Sequence, residues 1–329
     1  MRKNLLVIVM ICILCGNCKV RAGENVKGMV KVEGDDTVST FYISDHEVTF
    51  GEWRKVMNSN PQIIQDIFDV YDKDEDEYKL AVKSTGDNKP VLCVCWYDAV
   101  EYCNKLSLQE GLTPCYTISS KMVDFWLKHG MDKDSIQRRL DSLDNEQKWN
   151  KGWYVIWDKS ANGYRLPTET EWEYAAKGGK KTKGYTYSGS NKIETVAWFY
   201  DNAYRDLEES DPNYGTHNVK TKKANELGLY DMSGNVSEWC WDWYDDMWSS
   251  NRCKDYDGSE SGEERVVRGG SYQDIEDACG TLCRDNSLRP NNEGNSDVGF
   301  RRHKFNAHIK PNDVGDGDVG FRVVRSFNR

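Results

Sequence analysis

From Lys180 to the C-terminus the hydrophobic periodicity of the chain almost disappears. Short apolar words are separated by Gly, Asn and Asp, and no stretch supports a long helix or a run of evenly spaced strands. A half-chain of this kind must fold around an irregular core. The composition supplies the means: 12 Trp and 18 Tyr among 329 residues combine large apolar area with a hydrogen-bonding tip. No Pro- or Ser-rich linker marks a second domain. The length suits one large domain with a substantial buried core.

The first half is more regular. Phe41 to Ile43 reads as a short strand, and Thr49-Phe-Gly-Glu52 is a capping box opening a helix with Trp53, Val56 and Met57 on one face. Pro90 to Trp96 reads as an apolar strand, after which Asp98 is expected to cap a helix carrying Val100, Cys103 and Leu106. Trp153 to Trp157 alternates like a strand. Asn162-Gly163 is a hairpin signal that should return the chain through Tyr164-Arg-Leu166. Thr168-Glu-Thr-Glu171 is a second capping box, opening a helix from Glu169 to Lys177 that stops at Gly178-Gly179. Polar stretches at 58–89 and 119–150 read as insertions, the second with a helix from Asp134 to Leu143. The reading is an α+β fold, helices first and a loop-rich half after them.

Several chemistries are excluded. A net charge of −10 argues against nucleic acid as a partner, since phosphate neutralisation needs a basic face. The acidic run from Asp72 to Glu77 resembles the start of an EF-hand loop. It has Glu77 at the glycine position and Lys83 at the bidentate one, so it reads as a solvated loop. Eight cysteines follow residue 18: Cys93, Cys95, Cys103, Cys115, Cys240, Cys253, Cys279 and Cys283. None forms a Cys-x2-Cys pair with another, which argues against zinc, and spacing does not fix a disulfide pattern. Alternation would put Cys93 and Cys95 on one face of a strand. The five histidines, His46, His129, His217, His303 and His308, show no triad or metal spacing, and Arg268-Gly-Gly-Ser lacks the lysine of a phosphate loop.

The N-terminus reads as an export signal. Arg2 and Lys3 precede an apolar stretch, Leu5 to Cys15, too short to span a bilayer. Residues 1–18 resemble a bacterial lipoprotein signal with Cys18 as the lipidated residue. Cys15 is a second candidate, and an ordinary cleaved signal peptide is the alternative. The expected organisation is a signal at 1–18, a linker and first-strand region at 19–40, and one domain at 41–329. The expected location is outside the cytoplasm, at the cell envelope, with the lipid as membrane anchor. Disulfides are permitted there.

Five blocks, in order, carry a family resemblance: Pro90 to Cys103, Tyr164 to Gly179, Gly228-Leu-Tyr-Asp-Met-Ser-Gly-Asn-Val-Ser-Glu-Trp239, Arg265-Val-Val-Arg-Gly-Gly-Ser-Tyr272, and Gly320-Phe-Arg322. Together they resemble the formylglycine-generating-enzyme, or sulfatase-modifying-factor, family. The resemblance implies a single compact, irregular α+β domain related to the C-type lectin fold. It implies an oxidase that converts a sulfatase cysteine to formylglycine with molecular oxygen, using Cu(I) held by two thiolates. Counted from Arg268, those positions are Asp274 and Cys279. A carboxylate is a hard ligand and suits Cu(I) poorly. Cys283 is a conceivable substitute, while a disulfide or a buried thiol is the plainer reading of Cys279 and Cys283. Ser237 also stands where catalytic members carry an aromatic residue.

The resemblance further implies calcium on Asp231, Gly234, Val236 and Glu238, against the plainer reading of a braced tight turn with Gly234 at positive φ. The family's other calcium site has no match in Trp198 to Asn225. Arg268 and Arg322 are expected to tie loops through ion pairs and carbonyls, and Gly269 and Gly270 to mark a close backbone approach. Asp297-Val-Gly-Phe-Arg301 recurs as Asp318-Val-Gly-Phe-Arg322, which reads as a local duplication whose second copy is the final strand. The loop between the copies is then a candidate binding surface. Two functions follow. One is a non-catalytic binding or structural module of the envelope, with a protein, peptide or glycan partner. The other is a copper-dependent oxidase acting on an exported sulfatase, with Cys279 and Ser271 as catalytic residues.

Overall fold

The structure is a computed structural model that describes residues 28–61, 83–119, 154–208, 210–244, 253–259, 265–284 and 318–327, with isolated positions elsewhere. Cys18, the expected 134–143 helix, most of the acidic run and the first copy of the repeated pentapeptide lie outside the described residues.

Among the described residues, three small sheets and three helices of two turns or more form one irregular α+β body. Strands β1 (Met29–Val32) and β2 (Phe41–Ser44) pair antiparallel. β2 then pairs with β9 (Val324–Ser326), and β9 with β5 (Tyr164–Arg165). A second sheet joins β3 (Tyr116–Ser119) to β4 (Tyr154–Trp157). In the third, β6 (Ser237–Trp243) pairs antiparallel with β7 (Arg265–Arg268) and parallel with β8 (Val319–Gly320). The chain's end therefore supplies strands to two sheets: β8 lies within the second copy of the pentapeptide, and β9 follows it.

The helices start where their caps dictate. Helix α1 (Phe50–Met57) opens on the Thr49–Glu52 box and buries Phe50, Trp53 and Val56. Helix α3 (Glu169–Ala176) opens on the Thr168–Glu171 box and buries Trp172, Ala175 and Ala176. Helix α2 (Trp96–Gln109) begins earlier than expected. Cys95 is its N-cap, and Asp98, three residues in, accepts from the Cys95 amide at 3.0 Å. A fourth, single-turn helix, α4, spans Tyr200–Ala203.

Two further expectations are corrected. Residues 91–95 are not a strand, because Cys93 takes φ +58° and breaks the alternation. Pro90 keeps only an isolated bridge to Thr49, and the Val94 carbonyl accepts from Trp239 Nε1. Asn162-Gly163 turns no hairpin, since β5 pairs with the chain's last strand and β4 with β3. Asn162 Oδ1 instead accepts from the Thr113 amide, and a Cβ on Gly163 would lie 2.4 Å from the Thr113 carbonyl oxygen. The dipeptide's small size serves a close approach, not a turn.

The core has two main parts. One packs α1 and α2 around Phe321, Val323 and Trp239, with Trp53 stacked on Tyr102. The other packs α3 beneath Phe41, Ile43, Val266 and Val324, centred on Trp172. Trp241 is the aromatic junction: it stacks on Tyr116 at 5.1 Å and meets Trp96 and Trp157. The Arg265 guanidinium lies 3.5 Å from the Trp243 ring centre and 3.8 Å from that of Trp96.

Glu171 serves two roles, accepting from the Thr168 amide at 2.9 Å and pairing in two-pronged fashion with buried Arg165 at 2.6 and 2.7 Å. Thr168→Ala should cost about 1–2 kcal/mol, the loss of a helix cap. Glu171→Ala should cost about 3–5 kcal/mol because it strands a buried guanidinium. Denaturant unfolding of both variants checks the order, and equal costs would contradict it.

Candidate functional site

Strand β7 leads into Gly269 (φ +99°) and Gly270 (φ +68°), conformations that suit glycine. A Cβ on Gly269 would lie 3.2 Å from the Trp172 ring, and one on Gly270 would lie 2.9 Å from Cys279 Sγ. The chain then folds tightly. Ser271 N donates to Asp274 Oδ2 at 2.7 Å, and Asp274 N returns to the Ser271 carbonyl at 3.2 Å. Ser271 Oγ donates to Asp318 Oδ2 at 2.5 Å and accepts from the Gln273 amide. The Asp318 carbonyl accepts from the Ser237 amide, so this aspartate joins both sides of the site. Ser237 is buried, and its Oγ has no hydrogen-bond partner among the described residues.

The structure thus brings Ser271, Asp274 and Cys279 together, but in a sealed arrangement. Cys279 is fully buried, its Sγ lying 4.0 Å from the Ser271 carbonyl oxygen. It packs with Tyr187, Ile193, Val196, Ala197 and Phe199. Cys283 is half-buried and turns its carbonyl to Arg268. All eight described cysteines are thiols. Asp274 therefore braces a turn where a second sulfur would be needed, and the donor set does not fit Cu(I), which takes soft ligands.

The positions expected to hold calcium tell a similar story. Glu238, fully buried, accepts from Arg322 at 2.5 and 2.6 Å and from Trp172 Nε1 at 2.7 Å. Arg322, equally buried, also donates to the Ser44 and Tyr230 carbonyls. A divalent ion on Glu238 would face this guanidinium. Asp231, at φ +56°, accepts from the Lys220 amide at 2.7 Å, and its burial raises the carboxyl to about 6. Gly234 takes φ +74° and donates to the Gly269 carbonyl; a Cβ on it would lie 2.2 Å from the Trp198 carbonyl oxygen. Val236 gives its amide to Glu47 at 3.1 Å. No group of three or more His, Cys, Asp or Glu side chains able to hold an ion occurs among the described residues. Both carboxylates of the expected set are thus engaged by protein groups, Glu238 by Arg322 and Asp231 by the Lys220 amide, and Gly234 has the positive φ of a braced turn.

Three participants carry no local signal in the chain. Glu47, fully buried, also accepts from Asn235 Nδ2 at 2.7 Å; burial, then the charges of Asp231 and Glu238, push its carboxyl well up. Asp318 is sequence-distant from Ser271. His217 stacks on Trp198 at 3.5 Å, with the Lys222 ammonium 3.9 Å from the Trp198 ring centre. These partnerships form only through space. Arg268 behaves as expected, donating to the Thr281 and Cys283 carbonyls and to Glu173.

The match that decides the family covers residues 2–327, against the sulfatase-modifying factor enzyme 1-like domain. The chain belongs to that family. Among family relatives, the chaperone protein LppX of Paenibacillus barcinonensis is 41% identical over 216 residues, 63% of this chain and 64% of its own length. The formylglycine-generating enzyme of Streptomyces coelicolor is 33% identical over 147 residues, 42% of this chain and 46% of its own. The chain thus spans less than two thirds of the length of these curated relatives. The solved structure of Treponema denticola variable protein 1 is 31% identical, covers 91% of this chain and 92% of its own, and superposes with a TM-score of 0.57. The sulfatase-modifying-factor fold is the one described above.

An open groove of about 880 Å³ is lined by His46, Glu52, Arg54, Asp87, Lys220 and Thr221 among others. His46 sits between Asp45 and Glu52. Burial would lower its pKa, but hydrogen bonds to both carboxylates and their charges raise it to about 9. Lys220 holds Asp45 from the other side at 2.6 Å. Because the folded value lies above the unfolded one of about 6.5, this stabilisation is full below pH 6.5 and is lost as pH rises through 9. It amounts to about 3 kcal/mol at most. The stability difference between the protein and His46→Gln should therefore shrink between pH 6 and pH 10. Urea midpoints at the two pH values check this, and a constant difference would contradict it.

Proposed function

We propose that this member of the sulfatase-modifying-factor family is an exported, non-catalytic binding module of the cell envelope, tethered through Cys18. The observation that carries the reading is the Ser271–Asp274–Cys279 turn, where the acid serves the backbone and the Cys279 sulfur is buried against Gly270. An oxidase must present a soft-metal pair to a substrate thiol. Here neither oxygen-donor Asp274 nor buried Cys279 does so.

Binding is supported by a groove elsewhere on the domain. The groove beside His46 mixes both signs of charge with the Asn88, Asn218 and Thr221 side chains. At its edge Thr221 accepts from Trp198 Nε1 at 2.8 Å, and the half-buried indole carries His217 on one contact and Lys222 on another. A polar groove with an aromatic rim suits a peptide or a glycan, through hydrogen bonds and stacking. The net charge of −10 argues against nucleic acid as the partner. A relative named as a chaperone is compatible with a role in holding another protein.

Anaerobic titration with Cu(I), followed by incubation with a sulfatase-derived cysteine peptide and oxygen, tests the reading. The expected outcome is no stoichiometric copper and unchanged peptide. One copper per chain, lost in Cys279→Ser, together with formylglycine in the peptide, would establish the oxidase instead.

A further inference from the structure

Helix α2 and the segment that follows it run side by side in opposite directions. The chain leaves α2 at Glu110 and turns at Gly111, which takes φ +71°. It then returns along the helix it has just left. Leu112 N donates to the Ser107 carbonyl at 2.8 Å. Thr113 lies level with Ser107, since a Cβ on Gly163 would meet the Thr113 carbonyl oxygen at 2.4 Å and Ser107 Oγ at 2.5 Å. One turn further back, the Asn104 side chain clamps Tyr116 from both sides. Asn104 Oδ1 accepts from the Tyr116 amide at 3.1 Å, and Asn104 Nδ2 donates to its carbonyl at 2.8 Å. Cys103 and Cys115 each immediately precede one member of that clamped pair.

Both thiols are buried in the same core, Cys103 completely and Cys115 at 2% exposure. Burial is the main cause that raises the Cys103 thiol, and the neighbouring Cys115 adds to it. Burial also pushes Cys115 up to about 11, with the Arg165 guanidinium opposing it. The charge of Arg165, in β5, opposes the upward shift of both thiols. The two-point Asn104 clamp sets the separation of the flanking backbones and keeps it from drifting, as a disulfide requires.

We propose that Cys103 and Cys115 form a disulfide in the mature protein, stapling the end of α2 to the start of β3. Each thiol gives up one proton and one electron, and the sulfurs join. The two electrons pass to an external disulfide, either that of a dithiol oxidase or of a small molecule, which leaves as two thiols. In the cell this rests on the export reading, because the cytoplasm keeps thiols reduced. The chemistry itself is a property of the fold. High thiol pKa values make the folded pair slow to attack, so the bond is expected to close while the chain folds rather than afterwards.

The test is refolding of the full chain from denaturant in a buffer of reduced and oxidised glutathione, which needs no export. Remaining thiols are then alkylated under denaturing conditions and the digest is mapped by mass spectrometry. The expected product is one peptide pair joined through Cys103 and Cys115, which separates on reduction, with a melting midpoint several degrees above that of the reduced protein. Alkyl label on both residues, or either residue joined to a different cysteine, would overturn the proposal. Cys115→Ser should leave Cys103 alkylated and the far-ultraviolet spectrum unchanged; a Cys103 that finds another partner in this variant counts against the pairing. The same mapping on protein recovered from the cell envelope separates the two ideas: a bond that forms in refolding but not in cells retires the export reading and leaves the site standing.

Discussion

Arg322 and Glu238 meet in the interior with both side chains inaccessible to water, joined by two hydrogen bonds of 2.5 and 2.6 Å. The guanidinium goes on to the Ser44 and Tyr230 carbonyls, and the carboxylate to the Trp172 indole. One contact therefore ties β2, the 228–236 turn, β6, α3 and the chain's end. Net stabilisation from such a pair is small, because desolvating two charges offsets most of their attraction. Its value here is positional. Leaving either partner alone would cost about 3–5 kcal/mol, so every element that touches the pair must keep its place.

The rest of the loop-rich half follows the same physics. Short strands leave many carbonyls without ladder partners, and an arginine with five donors can serve several at once. Arg268 takes the Thr281 and Cys283 carbonyls while pairing with Glu173, and Arg284 brings a second cation to Glu169. Arg265 solves a different problem. It lies half-buried among three indoles, its charge met by ring faces and the Trp241 carbonyl, and desolvation lowers its pKa to about 9. Indoles and guanidinia together do what long sheets do elsewhere.

Local signals in the sequence were legible wherever the cause is local. Both threonine capping boxes open helices, Gly234 takes its positive φ, Gly269 and Gly270 mark close approaches, and the second pentapeptide copy with the residues after it supplies the closing strands. What failed depended on partners far along the chain. Asn162-Gly163 has the chemistry of a hairpin turn, yet β5 is claimed by β9, about 160 residues away in sequence. Asp98 looks like a cap, but the helix extends back to Trp96, whose indole donates to the Cys240 carbonyl. The site was half legible. The substitution of acid for sulfur at Asp274 can be read by counting from Arg268, whereas the use of that acid to brace Ser271, and the part of Asp318, needs the fold.

The Arg322–Glu238 pair also bears on what the turn at 231–238 can hold. A carboxylate already neutralised by a guanidinium has little charge left for a divalent ion, and Glu47 and Asp231 respond to burial by favouring their protonated forms. On this account the interior is closed by protein groups alone. The most direct measurement is the thermal unfolding midpoint of the purified protein in excess chelator and in millimolar calcium. The account predicts the same midpoint in both. A rise of several degrees with calcium, abolished in Asp231→Asn, would show that a bound ion and not the Arg322–Glu238 pair holds the centre together.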